Sequence, residues 1–394
     1  MRLPRRPVIA MAVPLLLAAA GCGSPASPPP VDDGRSPATS AASSAGPRGF
    51  TLVASGDVLP HASIIRQAQA DAGGSGYDFG QMFAGVKPLI SGADLAICHM
   101  ETVYGADGGP FTGYPTFKSP PQVARALKDT GYTACDTASN HTLDDGAAGI
   151  RRTLDAMDAV GLAHTGSARD EAEAGRPALL RAGGAAVAHL AYTYGTNGIP
   201  LPSDQPWAVN LIDRDRILAD ARAARAAGAD VVAVSLHWGT EWQDAPNEQQ
   251  LTLARELSEG QAGGASDIDL ILGTHAHIPQ AYEKINGTWT VYGLGDQLAG
   301  QMVTYDGADD PRGNWSSIAR FTFAPPAAPG QRWTVAKAEF LPQVTDLGPP
   351  CRVIDLQEAA RREPGRADYA RALEHIRTVV LSRGAAEAGL TMGS

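Results

Sequence analysis

Basic charge is what this sequence has least of. Five Lys and 27 Arg stand against 42 Asp and Glu in 394 residues, a formal net charge of −10. That balance excludes a nucleic-acid binder relying on a broad basic surface. Aromatics make up only 6% and charged residues 19% of the chain. Cysteine is scarce, and the four present match no CxxC or zinc-finger spacing. With 44% hydrophobic residues over this length, the chain has apolar content for a real core, so a disulfide-stapled mini-protein is excluded. Gly and Pro are plentiful, at 44 and 29, but follow no G-X-Y period, which excludes collagen. No internal repeat is present. What remains is a globular, acidic, non-fibrous protein.

The N-terminal apolar run, Val8–Ala20, is too short to span a bilayer comfortably. It follows Arg2, Arg5 and Arg6 and ends in Ala19-Ala20-Gly21-Cys22, a junction that resembles a bacterial lipobox. Residues 1–22 are therefore expected to be a lipoprotein-type signal with Cys22 acylated; an ordinary signal peptide with an incidental Cys is the other reading. Acyl chains on Cys22 would hold the protein at the outer face of a bacterial cell membrane. Losing residues 1–21 removes three Arg and no acid, taking −10 to −13. Residues 23–48 are rich in Pro, Ser, Ala and Gly and are expected to form a disordered tether. The other cysteines, Cys98, Cys135 and Cys351, permit at most one disulfide and are expected to be inert core thiols.

From Gly49 onward, short apolar runs alternate with helical stretches, the pattern of an α/β architecture. Strands are expected at Thr51–Ser55, Asp94–Cys98, Tyr132–Ala138, Ala185–Thr193, Asp230–Trp238 and Asp269–Thr274. Helices are expected at Pro121–Asp129, Gly149–Val160, Arg214–Ala227 and Glu248–Glu259. Short strands follow at Ala281–Ile285, Trp289–Leu294, Ser317–Phe323 and Trp333–Phe340. The main domain is taken as residues 49–345. In the remaining 346–394, an amphipathic helix over about Arg366–Arg383 is expected to pack on the outside.

In an open α/β sheet, ligands gather at the carboxyl ends of the strands. Here those ends carry Asp57, Glu101, Asn140, His141, His237, His275 and His277. Each alone is weak; an isolated strand-end His is more often structural. His275-x-His277 is stronger, because alternate residues of an extended chain face the same way. Oxygen and imidazole donors without thiolates suit Mn, Fe or Zn.

The order Asp, Glu, Asn-His, His, His-x-His resembles that of the calcineurin-like metallophosphoesterases. The closer similarity is to the CapA family of poly-γ-glutamate capsule proteins. It runs from Gly56 to about Leu294 and includes Phe117-Lys118-Ser119-Pro120, Asn140-His141-x-x-Asp144-x-Gly146, His237-Trp238-Gly239-x-Glu241 and Gly273-x-His275-x-His277. The resemblance implies a four-layer α/β/β/α sandwich and a site for two divalent metal ions. It implies Asp57 and His277 on one ion, Glu101 bridging, and Asn140, His237 and His275 on the other, with His141 acting near the leaving group. Asp144 either orients the site or caps a loop, and Glu241 is a candidate orienter. Where the pattern has a His two residues after the first Asp, this chain has Leu59; His61 either substitutes or merely begins a helix. The pattern's Asn-Leu-Glu is His99-Met100-Glu101, and its Ser-Leu-Gly-Asn-Phe is Gly293-Leu294-Gly295-Asp296-Gln297, which places an extra acid, Asp296, near the site.

Two functions follow from this reading. One is a surface-anchored two-metal hydrolase acting on a phosphoester or an anionic polymer such as poly-γ-glutamate. The other is a non-catalytic, membrane-anchored assembly component that meets polymer synthase subunits and keeps the metal site for structure or binding.

Overall fold

The structure, a computed structural model, describes residues 47–259 and 266–394. The signal segment, Cys22 and most of the tether lie outside the described residues. In chain order, β1 (Phe50–Leu59), α1 (Ala62–Asp71), α2 (Lys87–Ser91), β2 (Leu95–Met100), α3 (Gln122–Thr130), β3 (Ala134–Asp136), α4 (Gly146–Val160) and β4 (Ala163–Thr165) come first. Next are α5 (Glu171–Ala174), β5 (Ala178–Ala182), β6 (Ala185–Thr193), α6 (Arg214–Ala226), β7 (Val231–His237), α7 (Glu248–Ser258) and β8 (Leu270–Thr274). The strands β9 (Tyr282–Ile285), β10 (Thr288–Val291), β11 (Asp296–Ala299), β12 (Trp315–Ala324), β13 (Thr334–Asp346) and β14 (Arg352–Asp355) follow. The chain closes with α8 (Leu356–Arg362), α9 (Ala367–Val380) and β15 (Leu390–Met392).

The strands form two sheets. One has the order β14-β13-β12-β1-β2-β3-β4, with β11 beside β1 and β15 beside β13; the other runs β5-β6-β7-β8-β10-β9. Strand parity explains the layering. Phe50, Leu52, Ala54, Leu95 and Ile97 from the first sheet share one buried cluster with Val187, Val231, Ala233, Leu270 and Leu272 from the second. Their alternates face outward: Val53, Ala96 and Cys98 onto residues of α1, α3 and α4, and Ala188, Val232, Val234 and Ile271 onto α6 and α7. Helices, sheet, sheet, helices is the expected four-layer α/β/β/α sandwich. No helix among the described residues is long and apolar enough to cross a membrane.

The C-terminal helix α9 buries Tyr369, Ala372, Ile376 and Val380 in the cluster between the sheets and leaves its other face exposed. Two expectations are corrected. Cys98 and Cys135 are not free thiols. They are register neighbours on the parallel strands β2 and β3 and are disulfide-bonded, with Cα atoms 4.4 Å apart. Only the strand register brings them together, across 37 residues of sequence. Among the described residues, Cys351 is the free, buried cysteine. The first strand, finally, continues beyond Ser55 to Leu59, so Asp57 lies within it rather than after it.

Candidate metal centre

Toward the carboxyl ends of the central strands, the inward-facing apolar pattern gives way to acids and imidazoles. Asp57 reaches this face through a β-bulge: Ala54 pairs with Ile97 and Asp57 with His99, one extra residue on β1. The parity that turns Ala54 inward therefore turns Asp57 inward too. Gly56, in the bulge, passes so close to Gly295 that a Cβ there would lie 1.8 Å from its carbonyl oxygen. On β2 and just past its end, His99 and Glu101 continue the inward set begun by Leu95 and Ile97. Ser235 and His237 do the same on β7, and Thr274 on β8.

His275 and His277 meet the site differently from the extended run expected. β8 ends at Thr274, and both histidines adopt left-handed backbone, with φ of 86° and 60°. Two such residues cost on the order of 1–3 kcal/mol each, and they bring the two rings within 6.1 Å of one another.

The resulting constellation is dense. The His275 amide donates to Asp57 Oδ2 at 3.1 Å. Asp57 Oδ1 lies 3.8 Å from His99 Nε2, and Asp57 Oδ2 lies 3.8 Å from His277 Nδ1. His277 Nδ1–H donates to Asp296 Oδ1 at 2.9 Å. His237 is held between Thr274 Oγ1 and Asn140 Oδ1, both at 3.0 Å, and its Nε2 is 3.9 Å from Glu101 Oε1. Glu241 Oε1 is 4.0 Å from His275 Nε2. His141 Nδ1–H donates to Asp144 Oδ2 at 2.7 Å, and the same oxygen accepts the Phe117 amide at 2.6 Å.

The charges are arranged for a cation. Among the described residues, the only ionic partners of Asp57, Glu101, Asp136, Asp144, Glu241 and Asp296 are imidazoles; no Lys or Arg reaches them. Burial and then the Asp57 charge push the Glu101 carboxyl well above its usual range. Burial also raises Asp57, although His99 and His277 pull the other way. Burial and neighbouring imidazoles, His275 first, hold His237 well below its ordinary value. Burial opposes charge on His277, yet the Asp296 carboxylate keeps its proton there. A divalent ion would keep these acids ionised and the unpaired imidazoles neutral.

The donor set fits such an ion. Asp57 Oδ1, His99 Nε2, both Glu101 carboxylate oxygens, His275 Nδ1 and Asp296 Oδ2 are buried without any hydrogen-bond partner. Leaving buried polar atoms unmatched costs about 1–3 kcal/mol each. Donor atoms converge in three overlapping groups: Asp57, His99 and His237; Glu241, His275 and His277; and Asp57, His277 and Asp296. The donors are carboxylates and imidazoles, the chemistry of a divalent transition-metal site.

The structure thus gathers Asp57, Glu101, Asn140, His237, His275, His277 and Asp296 around one locus, with His141, Asp144 and Glu241 beside it. His61 instead opens α1 and stands in none of the donor groups among the described residues. Its Nδ1 lies 3.0 Å from the Leu59 carbonyl and 3.2 Å from the Gly300 amide. His99 and Asp136 were not singled out as site residues by the sequence. The alternation applied to His275-x-His277 would have found His99, two residues before Glu101.

A cleft of about 480 Å³ opens onto His141, His277 and Glu241. Leu59, Tyr114, Phe117, Trp242, Met302 and Tyr305 form much of its wall together with the polar His61, Gln301 and Thr304, and no Lys or Arg lines it among the described residues.

Fold and site together define an α/β protein with a buried carboxylate–imidazole centre suited to divalent metal. The chain belongs to the family described as "Bacterial capsule synthesis protein PGA_cap", which matches residues 51–301. It is 29% identical over 194 residues to the PGA biosynthesis protein CapA of Bacillus subtilis, covering 46% of this chain and 47% of that one. It is 27% identical over 187 residues to the capsule biosynthesis protein CapA of Bacillus anthracis, covering 46% and 44%. A probable polyglutamine synthesis accessory protein of Mycobacterium tuberculosis is 28% identical over 225 residues, covering 52% and 55%. The chain thus spans about half the length of these curated relatives. Among solved structures, it is similar to a phosphatase of Mycoplasma pneumoniae, at TM-score 0.46 and 14% identity, covering 77% of this chain and 96% of that one. The calcineurin-like phosphoesterase YfkN of Bacillus subtilis aligns at TM-score 0.41 and 15% identity, covering 84% and 99%.

Proposed function

We propose that this chain is a metal-dependent hydrolase of the cell envelope that cleaves a phosphoester in the service of capsule-type polymer synthesis. The observation that carries this reading is the set of buried carboxylates faced only by imidazoles, with donor atoms left unmatched. Two divalent ions of the Mn, Fe or Zn type would be held by Asp57, Glu101, Asn140, His237, His275 and His277, with Asp296 beside them. Such ions polarise a phosphoryl oxygen and make bound water acidic. Asp144 fixes the Nδ1–H tautomer of His141, which leaves Nε2 to serve the leaving group. The polymer setting rests on the names of the relatives, and the place at the membrane's outer face on acylation of Cys22.

The cleft favours a phosphoester over a stretch of polyglutamate. Its wall is largely aromatic and apolar, its one carboxylate is Glu241, and among the described residues it offers a polyanion no Lys or Arg, only imidazoles. A second reading draws on the rim: Tyr114 and Tyr305 are 76% and 80% exposed, and Val303 is 51% exposed. Exposed aromatics at the rim of the cleft suit a protein contact, as in a non-catalytic assembly component that docks on a membrane polymer synthase.

The test is metal analysis of the purified chain together with assays on aryl phosphodiesters and poly-γ-glutamate. The hydrolase reading expects bound metal, turnover of the phosphodiester and loss of that turnover in His275→Ala. Bound metal with turnover unchanged in His275→Ala would sink it.

A further inference from the structure

We propose that His99 is itself a metal ligand, an imidazole supplied by β2 and held in place by Asp136. The inference rests on the metal-centre reading above and names a donor which that reading leaves out. β1 offers one donor at this point, Asp57, because Leu59 turns into an apolar cluster with Phe117, Ala299 and Met302. The strand beside it supplies another: His99 is the register partner of Asp57. Both side chains are fully buried. His99 Nε2 and Asp57 Oδ1 are each without a hydrogen-bond partner. They lie 3.8 Å apart, too far for a hydrogen bond and within the roughly 4 Å that two metal bonds of about 2.1 Å can span. His237 completes the group, its ring stacked on that of His99 with centroids 4.7 Å apart.

The other side of the ring is built as ligand imidazoles require. His99 Nδ1–H donates to Asp136 on β3, which leaves Nε2 with its lone pair toward Asp57. A carboxylate on the far nitrogen fixes tautomer and ring orientation and raises ligand basicity. Asp136 is in turn 4.0 Å from His189 Nε2, which is 2.9 Å from Ser235 Oγ on the opposite sheet. His99 is therefore set by contacts from both sheets.

The competing account is a structural one, in which His99 merely pairs with Asp136 inside the core. The deciding experiment uses the full chain and measures Zn²⁺ and Mn²⁺ stoichiometry and affinity by equilibrium dialysis. It compares wild type, His99→Gln and Asp136→Asn, and records the Co²⁺ absorption spectrum of each. The expected result is loss of one equivalent, or affinity for it weakened at least tenfold, in His99→Gln, with a changed Co²⁺ spectrum. Asp136→Asn, which keeps His99 but alters its hydrogen bond, is expected to weaken the same equivalent by about 10–100-fold. Wild-type stoichiometry, affinity and Co²⁺ spectrum in both variants would overturn the proposal while leaving the metal centre standing. If wild type itself binds none of these ions, the metal-centre reading falls, and this proposal with it.

Discussion

The backbone amide of His275 donates to the carboxylate of Asp57 across 218 residues of sequence, at 3.1 Å. The two come from different sheets, so this bond ties the sandwich together at the edge that carries the candidate metal centre. Asp57 also carries an unmatched oxygen in a site without Lys or Arg. Asp57→Asn is therefore expected to keep or raise the melting temperature of metal-free protein, since it removes a buried charge. The same variant is expected to abolish the stabilisation wild type gains from Zn²⁺ or Mn²⁺, about 2.7 kcal/mol at 100-fold excess over Kd. Thermal melts with and without metal measure both effects.

His141 separates the two functional readings. It lines the cleft and belongs to none of the converging donor groups. His141→Ala is expected to lower kcat on a phosphodiester by about 10²–10⁴-fold with bound metal unchanged. Asp144→Asn is expected to lower kcat less and leave KM near wild type, because it frees the ring without removing it. Unaltered polymer output in a strain carrying only His141→Ala would favour the assembly role.

A pH effect is expected far from the site. Arg320 on β12 and Glu339 on β13 are register partners and form two parallel hydrogen bonds, at 2.8 and 2.9 Å. Burial opposes charge on Glu339, but Arg320 and Lys337 outweigh it and hold the carboxyl below its ordinary 4.5. A depressed folded pKa stabilises the protein above the unfolded value, and that stability is lost as pH falls through the folded one. Glu339→Gln should cost about 1–3 kcal/mol at pH 7 and progressively less as the pH falls below 4.5, read from urea midpoints.

Helix α9 is expected to behave as part of the core. Ile376 is fully buried in the cluster between the sheets, so Ile376→Ala should destabilise the whole domain by about 2–5 kcal/mol in a single transition. An early, separate unfolding step for the C-terminal segment would contradict this.

Much of the fold was legible because strand and helix periods are local. The expected strands at Ala185–Thr193 and Asp269–Thr274 fall on β6 and β8 within one residue. The helix over Arg214–Ala227 matches α6 to one residue. Elements with weak or short patterns were missed: β4, β5 and β11 have too few alternating residues, or too many small ones, to stand out. The partnership of Cys98 with Cys135 was invisible for a different reason, since it depends on the register of two strands joined through α3.

At the centre, the linear order of residues determines the chemistry available. Acids, an amide and imidazoles stand near the ends of apolar runs, and no thiolate stands among them. It also carries the family, whose model matches residues 51–301. Only tertiary structure decides which of them meet. The bulge at Gly56 turns Asp57 inward, left-handed backbone aims His275 and His277, and strand register sets His99 beside Asp57. Each depends on backbone geometry imposed by a neighbouring strand distant in sequence, and a local pattern of side chains carries no record of it.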